Sequence, residues 1–388
     1  MSFFRNKQFL VVLLSHLMVD VYVSQRAVLL AFIALALGLS NTWLGIVTTA
    51  AMLVAGLGQP FFGWLSDRID YRWLVVGGLV WLVVGFSLAA VVPLAAAPFF
   101  IIFANLGSGA YHPAGNMQAT IIGREDPLHR ESLAASLFFS FGQIAAFIGP
   151  IVGGAFLDTI GRIGLLFLSI PAAILSVYNL VVFRGGSKKT VTRRTDEVLP
   201  VEGKAEPAVG SMAIVALFFF MAFQTWSQTN ITTFIPKALG DMGQPAAIYG
   251  LMTALFTGGS ALGNVLGGSL ADRIGRKKLL LSSMVLSVVP ISLIAAVPYS
   301  WLWYILIPIC GLTTGAGFGV MVSMTQRQLP LKMGVASGLV LGFVFVAGAS
   351  GAYISGRVAD AAGFTAVFYL SAFIALLAFI TGFAIKDR

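Results

Sequence analysis

Apolar residues fill this chain in long blocks, separated by short clusters of Gly, Pro, Asn and charged residues. The blocks exceed about 18 residues, the length at which a helix crosses a hydrocarbon core of roughly 30 Å. Read by length and punctuation, they predict twelve helical spans at 8–37, 42–65, 73–92, 97–122, 132–157, 163–183, 211–236, 245–270, 278–297, 301–326, 334–357 and 364–385. The first block starts after Lys7, carries Asp20 and Arg26 inside it, and is followed by no small-residue cleavage site. It therefore reads as a retained helix, not a leader. Between the sixth and seventh spans, the stretch from Arg184 to Gly210 is rich in Lys, Arg, Glu, Thr, Gly and Pro and reads as a flexible linker. The expected organisation is an all-α membrane protein, with a six-helix bundle over 1–184, a linker over 185–210 and a second six-helix bundle over 211–388.

Composition agrees with a life in lipid. Of 388 residues, 58% are hydrophobic and 10% charged, against about 25% charged in ordinary soluble domains. The formal charge of +9 does not point to nucleic acid, because such binding needs a basic face on a soluble fold. Of the 24 Lys and Arg residues, Arg26 is intramembrane and Arg162, Lys237 and Arg357 fall in one set of loops. The remaining 20 share a side with the termini and linker. The positive-inside rule then places both termini in the cytoplasm of a multi-pass protein of the bacterial inner membrane. Cys310 has no partner cysteine and reads as a packing residue, as do Met321 and Met324.

The two halves repeat. Gly63 to Arg72 (Gly-Trp-Leu-Ser-Asp-Arg-Ile-Asp-Tyr-Arg) aligns with Gly268 to Lys277 (Gly-Ser-Leu-Ala-Asp-Arg-Ile-Gly-Arg-Lys), and Gly149 to Asp158 echoes Gly351 to Asp360. The second copy of the first repeat resembles the loop signature of the major facilitator superfamily; the first departs from it at Asp70 and Tyr71. This resemblance implies two pseudo-symmetric six-helix bundles with a solute site between them. It also implies a cytoplasmic gate at Asp67, Arg68, Arg72, Asp272, Arg273 and Arg276, where helix-end carboxylates meet arginines as a latch. In the fifth span, Gly142, Gly149, Pro150, Gly153 and Gly154 resemble the Gly-Pro motif of proton-coupled drug antiporters, with small residues permitting close helix approach. Ser15-His16-Leu17 with Asp20, Gly107-Ser108-Gly109 before His112-Pro113, and Gly334 to Gly342 are similar to the fosmidomycin-resistance exporters. Ala114 and Arg26 depart from that pattern.

Charge inside lipid costs several kcal/mol, so an ionisable residue deep in a span is a functional candidate. Asp20 and Arg26 are the charges deep in the spans, joined by His16 and His112. His16 lies one turn before Asp20, so the two are expected to share a proton, with His112 a further carrier. The alternative for Asp20 and Arg26 is a structural ion pair, although their spacing sets them about 120° apart on an ideal helix. In the fourth span, Asn105, Ser108, His112 and Asn116 form a polar stripe expected to face a cavity, with Tyr111 beside it. Arg26 offers a planar cation to an anionic solute. The seventh span carries Gln224, Trp226, Ser227, Gln228, Thr229, Asn230, Thr232 and Thr233 before Pro236. Gln224, Gln228 and Asn230 are expected to bind solute by hydrogen bonds, or the span to break into a gate; helix-to-helix bonding is the alternative.

No phosphate-binding Gly-x4-Gly-Lys-Ser/Thr loop occurs. The expected function is a monomeric, proton-coupled secondary transporter, an antiporter exporting a small organic solute, drug-like or anionic, by alternating access. Proton-coupled uptake of an organic anion or nutrient is the alternative. A non-transporting receptor lacks a signalling domain here, and an intramembrane enzyme lacks an evident nucleophile. No catalytic residue, metal or cofactor is expected; the partners are the solute, protons and the lipid bilayer.

Overall fold

The computed structural model describes residues 6–66, 68–126, 131–184, 211–329 and 333–385. Asp67 and the 185–210 linker lie outside the described residues. Thirteen helices account for most of what is described: α1 (Lys7–Ser24), α2 (Arg26–Ala36), α3 (Asn41–Ser66), α4 (Tyr71–Val91), α5 (Ala97–Glu125), α6 (Glu131–Thr159), α7 (Ser169–Arg184), α8 (Ser211–Asp241), α9 (Ala246–Ile274), α10 (Arg276–Ala296), α11 (Trp303–Ala316), α12 (Phe318–Gln328) and α13 (Met333–Gly382). No strand occurs among the described residues. Eleven segments are long and apolar enough to cross a membrane. The last of them, 44 residues long, is divided by Gly363, whose φ of 78° is non-helical. The chain therefore crosses twelve times.

Helix ends follow local chemistry. The Asn6 side chain accepts from the backbone N–H groups of Gln8 and Phe9 at 2.9 and 3.1 Å, satisfying donors that α1 leaves open. Asp70 caps α4 through the Arg72 N–H, and Gly275, at φ 93°, makes the corner between α9 and α10. Large apolar side chains such as Trp73, Phe99 and Val265 remain exposed on the outside of the bundle, as a lipid-facing surface requires.

Two spans expected to be continuous are interrupted. The first breaks at Gln25, between α1 and α2, and the tenth at Gly317, between α11 and α12. The seventh span, for which a break into a gate is one of the expected alternatives, is the unbroken helix α8 despite Pro236. Where the tenth span breaks, the Thr314 carbonyl accepts from Gln224 Nε2 on α8 at 2.7 Å. A side chain of the continuous seventh span thus supplies a donor that the interrupted tenth needs within lipid.

The halves meet along two related crossings, α3 against α13 and α6 against α9. At Gly154 and Gly250 the backbones of α6 and α9 approach so closely that a Cβ on either glycine would overlap the other helix. Thr257 Oγ1 donates across this contact to the Ala146 carbonyl at 2.7 Å. In the other crossing Thr49 Oγ1 donates to the Ala349 carbonyl at 2.6 Å. Beyond it, Asp360 receives the N–H groups of Asn41 and Thr42, at 2.7 and 2.8 Å. A carboxylate of the second half thus caps a helix of the first, favoured by the dipole of α3. The Thr257–Ala146 bond lies near the middle of α6, and the Asp360 cap and the Gly154–Gly250 contact lie toward the end of the bundle away from the termini.

Charge-assisted hydrogen bonds of this kind contribute about 1.5–3 kcal/mol each, so Asp360→Ala is expected to loosen the halves there. A cysteine placed at Thr49 should react several-fold faster with a hydrophilic maleimide in Asp360→Ala than in the parent, with the buried Cys310 contributing little background. An unchanged rate would show that the cap does not hold the halves together.

Candidate functional site

Three titratable side chains converge in the first half, from α1 and α5. Helical spacing sets His16 and Asp20 on one face of α1, and His16 Nε2 lies 3.2 Å from Asp20 Oδ2. His112 reaches in from α5, its Nε2 3.1 Å from Asp20 Oδ1. His16 is 2% exposed, whereas Asp20 and His112 retain 20% and 25%. One imidazole is sealed, and the carboxylate and the other imidazole are partly exposed.

The surroundings fix both rings. His16 Nδ1 lies 2.7 Å from the Phe138 carbonyl of α6, and the Phe138 ring stacks on His16 at 3.8 Å between centroids. His112 Nδ1 lies 2.8 Å from the Ser108 carbonyl one turn back on α5. A carbonyl only accepts, so each Nδ1 must carry hydrogen and donate. A neutral imidazole in either place therefore turns a bare Nε2 lone pair toward Asp20. The arrangement is favourable only with a positive charge between nitrogen and carboxylate. His16 Nε2, although near Asp20, is off the line of a hydrogen bond and has no hydrogen-bonding partner.

The glycines of α6 make room for this cluster. A Cβ on Gly142 would lie 2.6 Å from Asp20 Oδ2 and 2.7 Å from His16 Cε1. Further along, Gly149 abuts Val21 and Ser24, and Gly153 abuts Gln25, while Gly154 turns to α9 and Pro150 offers its carbonyl to Gly250. The motif read as helix packing thus mostly admits α1, and Gly142 fits against its ionisable pair.

The remaining candidate residues fall into separate groups. Arg26 makes no ion pair with Asp20; its Nη1 donates to Asn105 Oδ1 at 2.6 Å. Asn105 is held by its own donation to the Ile101 carbonyl. Tyr111 is fully buried and donates to the Val12 carbonyl at 2.7 Å, which sets it behind the cluster in the α1–α5 contact. Asn116 is half-buried, with Oδ1 lacking a partner. The amide nitrogens of Gln224 and Asn230, read from sequence as solute ligands, donate to the Thr314 carbonyl and to Ser371 Oγ within the second half, while Gln224 Oε1 and Asn230 Oδ1 have no partner. Gln228 stays half-buried with Nε2 unpaired.

The described contacts of Arg68, Asp70, Arg72 and Lys277 lie within their own halves. Asp70 pairs with the guanidinium of Arg72, whose hydrogen bond holds the carboxyl below its ordinary range. Arg72 Nη1 also reaches the Phe183 carbonyl at the end of α7, at 3.1 Å. In the second half Lys277, aligned with Arg72, reaches the Phe383 carbonyl just past α13, at 2.7 Å. Arg68 lies over the Trp64 ring at 3.8 Å. Asp272 and Arg273 are exposed, and Arg276 is half-buried.

Sequence reading missed Gln25. It is fully buried at the first-span break, and neither side-chain amide atom has a partner. Its position beside Arg26 in an apolar span is the signal the sequence carries. The Phe138 carbonyl gives no such signal, since any residue supplies one.

Comparison with known proteins agrees with this architecture. The family model described as Major Facilitator Superfamily matches residues 9–237 and 212–388. The chain is 27% identical to the fosmidomycin resistance protein of Escherichia coli (strain K12), covering 97% of this chain and 92% of that protein. It is 23% identical to the multidrug resistance protein MdtG of Enterobacter lignolyticus (strain SCF1), covering 89% of this chain and 83% of that protein. The solved structure of the nucleoside transporter NupG superposes with a TM-score of 0.74 at 14% identity, over 98% of this chain and all of that one. A D-xylose–proton symporter superposes equally well, with a TM-score of 0.74 at 17% identity over 98% of each chain.

Gly142→Ala should drive a methyl group into the His16–Asp20 pair and lower thermal stability in detergent, at an overpacking cost of about 1–3 kcal/mol. Gly77→Ala, where a Cβ meets nothing within 4 Å, should not. If both variants melt like the parent, α6 does not pack on the cluster as described.

Proposed function

The chain belongs to the Major Facilitator Superfamily, and on that premise we propose that it is a proton-coupled antiporter that exports a small organic solute across the bacterial inner membrane by alternating access. The observation that carries this reading is the convergence of His16, Asp20 and His112 in the first half. Asp20 is the coupling carboxylate, and the two histidines share and relay its protons. A proton gained at His112 Nε2 replaces a repulsive lone-pair contact with a hydrogen bond, and one gained at His16 Nε2 replaces it with an ion pair; each proton lost leaves a carboxylate facing bare nitrogens in a medium that penalises charge. The groups that face Asp20 are His16 on its own helix, His112 on α5 and the backbone of Gly142 on α6.

Efflux-type relatives favour the outward direction. Arg26, with Asn105 behind it, supplies a cation for an anionic solute, while Asn116 and Gln228 offer amide atoms without partners. The cytoplasmic loops bearing Asp67, Arg68, Arg72, Asp272, Arg273 and Arg276 act as the gate that re-forms in each cycle. A proton entering down a membrane potential releases about 2.3 kcal/mol per 100 mV, enough to drive modest uphill export.

Asp20→Asn is expected to abolish proton-driven solute movement in proteoliposomes while sparing solute–solute exchange, because asparagine resembles the protonated acid. Thermal stability, measured in parallel, should change little. A stable Asp20→Asn protein that still accumulates solute against a gradient when driven by protons would remove Asp20 from the coupling role.

A further inference from the structure

The histidine–carboxylate cluster has the composition and geometry of a metal site as well as of a proton site. His16, Asp20 and His112 each present one ligand atom, and these atoms all lie within 4.8 Å of one another. The separations from His16 Nε2 to Asp20 Oδ2 and from His112 Nε2 to Asp20 Oδ1, 3.2 and 3.1 Å, are near the ligand-to-ligand edge of about 3.3 Å expected when a tetrahedral ion has bonds near 2.0 Å, and because they run to different oxygens an ion between the rings would take the carboxylate through both.

Three features turn this proximity into a site. Both Nδ1 atoms donate to backbone carbonyls, Phe138 and Ser108, the outer-shell arrangement that leaves Nε2 as the metal-binding atom and fixes the ring. His16, 2% exposed, turns an Nε2 without a hydrogen-bonding partner into the cluster. Finally, Asp20 and His112 keep partial exposure, which gives an ion a route in and leaves a coordination position for water. Two imidazoles and one carboxylate suit Zn²⁺, Co²⁺ or Ni²⁺, whereas Mg²⁺ and Ca²⁺ favour sites built from oxygen.

We infer that His16, Asp20 and His112 bind one divalent transition-metal ion of the Zn²⁺ class within the first half, in the place where protons otherwise bridge nitrogen and carboxylate. A divalent ion and two bridging protons carry the same charge, so the ion satisfies the same two contacts. Zn²⁺ occupying the cluster excludes protons from it and therefore inhibits any transport that uses them.

The test needs no solute. Purified protein without a histidine tag is titrated with Co²⁺ in detergent, following the visible absorption of low-coordinate Co²⁺, and then with Zn²⁺ as competitor. One equivalent of Co²⁺ is expected to bind, to be displaced by Zn²⁺ and to be indifferent to excess Mg²⁺. His112→Asn and Asp20→Asn should each weaken binding by about ten-fold or more, while His129→Asn, which removes the chain's other histidine, should leave it unchanged. Thermal denaturation separates loss of the site from loss of the fold. Failure of the parent protein to bind one equivalent, or parent-like affinity in folded His112→Asn and Asp20→Asn, overturns the inference. Should these variants not fold, failure of Zn²⁺ to raise the melting temperature of the parent overturns it equally. Either negative result leaves the proton reading standing, because that reading is tested by flux.

Discussion

A carboxylate within a membrane span is poorly solvated, and the surroundings of Asp20 answer that constraint. Its oxygens face two imidazoles; the imidazoles are held by backbone carbonyls of α5 and α6; and α6 comes close enough to do so because Gly142 has no side chain. An apolar residue at position 20 would remove the need for all three arrangements. The cluster therefore organises the packing of α1, α5 and α6, and its demand for positive charge follows from hydrogen-bond direction rather than from proximity alone.

The same requirement, that polar atoms within lipid find partners in protein, bears on both halves. In the second half the amide nitrogens of Gln224 and Asn230 donate to Thr314 and Ser371, while Gln224 Oε1, Asn230 Oδ1 and Gln228 Nε2 stay without partners. The first half holds the titratable cluster, Arg26 on Asn105, and at its own break Gln25 with neither side-chain amide atom paired. The halves thus differ in charge, with the titratable groups in the first and neutral amides in the second, and each keeps buried polar atoms short of partners. The halves nevertheless keep their internal symmetry, with Arg72 on Phe183 and Lys277 on Phe383 bracing equivalent helices.

Much of this was legible in the sequence, for physical reasons. Span length and apolar composition are dictated by bilayer thickness, so all the crossings could be read, and the spacing of His16 and Asp20 placed them on one helical face. The breaks at Gln25 and Gly317 were not legible, because each depends on donors or close packing from another helix, as with Gln224 at Thr314. Helix periodicity could identify the polar face of α8, but not that Gln224 and Asn230 turn into their own bundle while Gln228 does not. Tyr111 looked like a cavity residue from its neighbours in sequence, and only the Val12 carbonyl explains where it points.

The central claim is that the charge on the Asp20 cluster is exchangeable rather than a fixed structural feature. Infrared difference spectra recorded across pH steps, on parent protein and on Asp20→Asn, test it without knowledge of the solute. The account predicts imidazolium ring bands that grow as pH falls and weaken in His112→Asn, together with a carboxylate band of Asp20 that shifts as the rings gain protons and is missing in Asp20→Asn. A parent spectrum with no pH-dependent histidine band coupled to the Asp20 carboxylate would mean that the cluster holds one protonation state throughout, and would contradict it.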